Sequence, residues 1–213
     1  MGTIEALSLA MGTAWTSGIN LYATVAALGI AGRAELVHLP QNLEVLTHPA
    51  VIAVACLMYL IEFFADKIPY VDSGWDVLHT FIRVPAGAIL AARSLGDMNP
   101  ALELAALLAG GSIAFIAHGT KATTRLAINA SPEPFSNWAA SVVEDITVLG
   151  SIWMIFNHPL IMIGLVLIFL ALVIWLVPKV FRLAKHGYQA LRNRMRGVKP
   201  DQATPAGPSP QAT

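Results

Sequence analysis

Glu62 and Asp66 stand four residues apart at the end of an apolar run, so on a helix their carboxylates share a face. Asp72, Asp76, His79 and Arg83 follow at i, i+4, i+7 and i+11, one stripe of two acids, an imidazole and a guanidinium. Lys121, Arg125, Asn129 and the Glu144-Asp145 pair come later, and Asn20 sits beside Ser17 and Gly18 in an otherwise uncharged run. A charge at a bilayer centre costs about 2.5–3.5 kcal/mol on insertion scales, so such groups face partners, water or a pathway, and acids at that depth relay protons or hold cations. A Gly-interrupted helix at Asn20 would add freed backbone carbonyls as ligands. Arg83, Lys121 and Arg125 also have the chemistry to hold a lipid phosphate or another anion. The plainer alternative is a set of ion pairs between helices. Asp72, Asp76 and His79 have metal-ligand spacing, but Arg83 on the same stripe would repel an ion, and no metal site is assigned. Asp72-Ser73 reads instead as a helix N-cap.

The elements that must position these groups are membrane helices. The chain is 56% hydrophobic and 12% charged, with a mean hydropathy of +0.64, where soluble domains approach a quarter charged residues. Residues 159–178 are an unbroken apolar span, and 6–32 are uncharged. Four shorter or charge-bearing runs, 49–65, 80–92, 101–120 and 138–156, bring the expectation to about six helices. The fold class is all-α, a polytopic transmembrane helix bundle, with the third helix, 80–92, short enough to leave a broken or re-entrant segment over 67–92 open.

Charge placement orients the bundle. The tail carries Lys179, Arg182, Lys185, Arg192, Arg194, Arg196 and Lys199 against one acid, Asp201, and six spans put both termini on that side. The positive-inside rule makes it the cytoplasmic side of an inner (plasma) membrane, with Lys67, Arg83, Lys121 and Arg125 at or near inner loops. Residues 1–186 form the membrane domain, and 187–213 a basic segment on anionic headgroups followed by a Pro/Ala-rich disordered end. The N-terminus has no Lys or Arg before its apolar run, so no signal peptide is expected. The zero net charge hides the charge asymmetry and says nothing about nucleic acid, which is not among the expected partners, and a lone cysteine, Cys56, excludes a disulfide framework.

Sliding the chain by sixty-three residues superimposes Pro69 on Pro132, Ser73 on Ser136, Trp75 on Trp138 and Gly87 on Gly150. A duplicated helical hairpin would do this, and chance is its rival at such low identity; transporter sites often form at repeat interfaces. The polar stripe is not copied: its counterpart is Phe135, Ala139, Val142 and Ile146, with Glu144 and Asp145 projecting elsewhere and Glu133 added. Glycines at 87, 110, 111 and 150 allow close helix packing, and a homo-oligomer stays open.

Gly12-Thr-Ala-Trp-Thr-Ser-Gly-Ile-Asn-Leu-Tyr, the run from Glu62 through Pro69-Tyr-Val-Asp-Ser-Gly-Trp-Asp with the later Pro-Ala-Gly, and Gly119-Thr-Lys to Ser-Pro-Glu-Pro resemble domain of unknown function 4126. The resemblance implies a small polytopic membrane protein, found chiefly in bacteria, and no reaction. Phosphate-binding loops, nucleophile elbows and His-Glu-x-x-His are missing, so neither an enzyme nor a cofactor is expected. Three functions fit the residues. The first is a channel or secondary transporter for an ion or small polar solute, with Glu62 and Asp66 toward the interface and Glu144 and Asp145 deeper along a route. The second is an anionic-lipid or lipid-phosphate carrier, and the third a non-transporting assembly role.

Overall fold

The structure is a computed structural model that describes residues 1–68, 70–130 and 134–195. Pro69, Pro132, Glu133 and the tail from Arg196, where disorder is expected, lie outside the described residues. Among the described residues there are six α-helices, α1 Thr3–Arg33, α2 Pro49–Ala65, α3 Val71–Ser94, α4 Pro100–Asn129, α5 Pro134–Asn157 and α6 Pro159–Met195, with a short 3-10 helix at Gln41–Thr47. There is no strand among the described residues, so the all-helical bundle is as the sequence implies. Prolines stand at the first position of α2 and α4, where a missing N–H costs nothing, and the caps His48 and Asn99 accept from Ala50 N and Leu102 N.

The molecule divides into two compact units, residues 1–170 and 171–213. In the first, α1 packs against α2, α3, α4 and α5, and α3 packs along α4. Small residues set the approach of α1, α3 and α4: a Cβ on Gly18 would lie 2.5 Å from the Ala114 carbonyl oxygen, and one on Gly87 2.5 Å from Ser17 Oγ. Gly150 has open space where a Cβ would go, so it is not a packing counterpart of Gly87. In the second unit α6 continues through Pro178, and Lys179 Nζ lies 3.1 Å from the centre of the Trp175 ring.

Polarity is arranged for a lipid solvent. On α3 the stripe Asp72, Asp76, His79 and Arg83 is buried, while Val77, Leu78, Phe81 and Ile89 are exposed. The pattern recurs on α5, where Phe135, Ala139, Val142 and Ile146 lie outward and Glu144 and Asp145 turn inward. Apolar surface on this scale marks a membrane protein. α4, Phe135–Asn157 of α5 and Pro159–Val180 of α6 are long and apolar enough to span; the 3-10 helix with α2, bent by 65°, adds a fourth if the bent pair is one span. The expected six are therefore not six independently apolar spans, since α3 keeps its polar stripe and α1 is interrupted at Asn20.

Two helices outrun their expected limits. α3 is continuous over 24 residues, about 36 Å at 1.5 Å per residue, and does not turn back as a re-entrant hairpin. α4 runs on to Asn129, so Lys121 and Arg125 lie inside a helix and not at a loop. Their charges do not end the helix because each is met by carboxylates within the bundle.

Candidate functional site

α1 carries the first device. Asn20 leaves helical geometry at φ −147° and ψ 98°, and its Oδ1 accepts from Ala23 N at 2.9 Å, capping the second half of the helix. The interruption thus sits on Asn20 itself, one residue beyond the Gly18-Ile19 step. Its Nδ2 reaches Asp145 Oδ1 at 3.4 Å, joining the broken helix to α5.

Four helices meet at Lys121. Its Nζ lies 3.2 Å from Glu62 Oε1, 3.2 Å from Asp66 Oδ2, 3.2 Å from Glu144 Oε2 and 3.8 Å from Asp76 Oδ1. Arg83 bridges Glu62 and Asp76, the latter at 3.1 Å. Arg125 grips Glu144 with two parallel bonds, Nε to Oε1 at 3.0 Å and Nη2 to Oε2 at 2.8 Å, and also reaches Asp66. Among the described residues the network therefore sets three cations against four carboxylates, one negative charge in surplus. Glu144 alone keeps appreciable access, its side chain 15% exposed against 3% or less for the other six. Glu62 Oε2, Asp66 Oδ1, Asp76 Oδ2 and Arg83 Nε are buried without a hydrogen-bond partner.

A second polar string runs from the network toward the hairpin connections. Arg125 Nη1 donates to the Asn137 carbonyl at 3.0 Å, Asn137 Nδ2 donates to Asn129 Oδ1 at 2.8 Å, and Asn129 Nδ2 donates to Asp72 Oδ1 at 2.8 Å. Asp72 lies within the first turn of α3 and accepts from Ser73 N, so it is not the N-cap; Tyr70 holds that place. Lys67, in the connection after α2, donates to the Phe63 carbonyl, and burial pushes its ammonium below the usual lysine range against the pull of Asp145 and Asp66.

The histidine tautomers follow from their partners. His79 Nδ1 faces the Trp75 carbonyl at 2.8 Å and must donate, so its Nε2, 3.1 Å from Tyr22 Oη, accepts the phenol proton. His118 Nδ1 faces Arg83 Nη1 at 3.1 Å and must accept, so Nε2–H donates to Thr80 Oγ1 and the Asp76 carbonyl. His118, with its Nδ1 accepting, is therefore neutral. Metal binding by Asp72, Asp76 and His79 finds no support: Asp76 is taken by Arg83, His79 by Trp75 and Tyr22, and no group of ligands among the described residues could hold a metal ion.

Glu62, Asp66, Asp76, Arg83, Lys121, Arg125 and Glu144 are thus brought into one network. Asp72 and Asn129 lie outside the ion pairs, on the hydrogen-bonded string that reaches Arg125 through Asn137; Asp145 and Asn20 form a contact beside it, and His79 is bonded to Tyr22 and the Trp75 carbonyl. The expected separation in depth is wrong for Glu144. A single ammonium holds it, Glu62 and Asp66 at 3.2 Å each, so these acids share one level. His118 and Asn137, which spacing along the chain did not bring forward, also bond the network. Both carry a usable signal: His118 extends Lys121, Arg125 and Asn129 by i−3, and Asn137, Ser141 and Glu144 repeat at i, i+4 and i+7.

The two hairpins also invite comparison. Sixty-three residues separate Glu62 from Arg125, and each pairs with the following helix, Glu62 with Arg83 and Arg125 with Glu144. The frame recurs with its charges exchanged. Over residues 7–179 the chain matches the family model described as domain of unknown function (DUF4126). The chain belongs to this family. Its matched region contains every residue of the network and stops within the first turns beyond Pro178. No curated protein and no solved structure matches the chain.

Proposed function

We propose that this DUF4126 protein passes a small cation across the membrane, as a channel or secondary transporter, through the network centred on Lys121. One observation carries the reading: three basic and four acidic side chains, six of the seven buried, meet from four helices with one carboxyl group in surplus and three buried carboxyl oxygens unpartnered. A purely structural set of pairs gains nothing from an extra buried anion, which costs several kcal/mol to desolvate. A cation pathway gains a seat. The lipid-phosphate reading is less well supported, because Arg83, Lys121 and Arg125 each already hold carboxylates and are at most 5% exposed.

Access is supported by a largely apolar groove of about 460 Å³ along α4 and α5, whose lining includes Lys121, Glu144 and Thr147. Reconstituted vesicles carrying wild type, Glu62→Gln or Glu144→Gln provide the test, with ion and solute fluxes screened at matched amounts of folded protein. The expected result is cation flux that falls at least tenfold in Glu62→Gln. Unchanged flux in both variants removes the carboxylates from the mechanism. Lack of any flux, with saturable binding of a lipid phosphate that Arg83→Ala abolishes, supports the carrier reading instead.

The orientation belongs to the same proposal. A cytoplasmic inner-membrane face at both termini follows from the Lys and Arg bias of the tail. Reporter fusions after Thr47 and after Lys199 should read outside and inside, respectively. The opposite pattern would invert the topology.

A further inference from the structure

We propose that the cation seated in the network is a proton, shared among Glu62, Asp66 and Asp76 around Lys121. This rests on the passage reading for its role but not for its existence.

The three carboxyl groups converge on one ammonium, each through a single oxygen, at 3.2, 3.2 and 3.8 Å. The second oxygen of each, Glu62 Oε2, Asp66 Oδ1 and Asp76 Oδ2, is buried without a partner on a side chain no more than 3% exposed. Glu144, the fourth acid, has both oxygens engaged by Arg125, and Lys121 adds a further contact. The surplus therefore falls on the other three. Carboxyl groups gathered around one ammonium, away from water and outnumbering their cations, do not all ionise when one of them can take a proton.

A metal ion fits the same atoms poorly. Hard cations gather about six oxygens, and here three are free while Lys121 and Arg83 stand among them. A proton needs one oxygen and no cavity. Binding makes one O–H bond on a carboxylate and leaves three anions against three cations; release returns the proton to water or to the next acceptor. The other titratable neighbours do not compete for it. From α1, Tyr22 donates to His79 of α3; from α4, His118 accepts from Arg83, and Arg125 is committed to Glu144 of α5; Tyr59 of α2 bonds Asp145 of α5, Lys67 donates to the Phe63 carbonyl and Ser141, and Asp72 of α3 accepts from Asn129.

Infrared difference spectroscopy of the full chain in lipid vesicles at neutral pH tests this. Wild type should show a protonated-carboxyl stretch that shifts in deuterium oxide and is the same in sodium and choline chloride. Each of Glu62→Gln, Asp66→Asn and Asp76→Asn should abolish it, since any one of them balances the charges, whereas Asp145→Asn should leave it. The wild-type spectrum decides even if a variant fails to fold. No such band in wild type, or a band that emerges only when sodium is removed, overturns the assignment. Loss in Asp145→Asn alone would place the proton outside the network and overturn it too. A proton band without any flux sinks the passage reading and leaves this one standing; cation flux without the band does the reverse.

Discussion

Lys121→Met should cost about 3–5 kcal/mol of stability, the penalty for removing one partner from a buried ion cluster. Lys121 is the centre of the network, holding carboxylates from α2, α3 and α5 on a side chain 2% exposed. Methionine fills similar volume, so the loss is electrostatic and not a cavity effect. With the ammonium gone, two guanidinium groups face four carboxylates, and the surplus rises from one negative charge to two. Protonation relieves part of this at low pH, so the variant's deficit should shrink as pH falls. Unfolding in detergent, followed by circular dichroism across pH, measures it; a stability equal to wild type at neutral pH would mean that the cluster is solvated.

Gly18→Val should be comparably severe for a different reason. A Cβ there would meet the Ala114 carbonyl oxygen at 2.5 Å, Ala117 Cβ at 2.7 Å and His118 N at 3.0 Å, all on the packed face of α4. Helix backbone cannot yield as a flexible side chain does, so α1 and α4 must separate. Overpacking of this kind costs about 1–3 kcal/mol and occasionally more. Because His118 accepts from Arg83, the displacement should also loosen Arg83 from Glu62 and Asp76. A second change, Gly119→Ala, meets nothing within 4 Å and should leave the unfolding midpoint where it is. Equal effects of the two substitutions would show that helix approach at Gly18 is not limiting.

Much of the site was legible because a membrane inverts the usual pattern. Polar residues mark the inside, and Asp72, Asp76, His79 and Arg83 could be assigned to one face from spacing alone, as could the outward turn of Phe135, Ala139, Val142 and Ile146. Helix limits were harder to read for a related reason. A run of hydropathy ends at the first charge, but α4 continues through Lys121 and Arg125 because their partners come from α2 and α5, far away in the chain. Depth failed likewise. Glu144 lies well inside α5 by count, yet long side chains from α2 and α4 reach its level, and no one-dimensional spacing reports that. His118 gives no signal of its partner in its own neighbourhood of the sequence, because that partner, Arg83, is on another helix.

The surplus carboxylate is the centre of the account, and comparing acid with base neutralisation tests it most directly. Unfolding midpoints of Asp76→Asn and Asp66→Asn should be measured beside Lys121→Met in the same detergent at neutral pH. With three cations against four carboxylates, removing one acid should leave the midpoint unchanged or raise it, while removing the base lowers it sharply. Equal losses on both sides would mean that every charge in the network is balanced, and that no acid is left over to carry an ion.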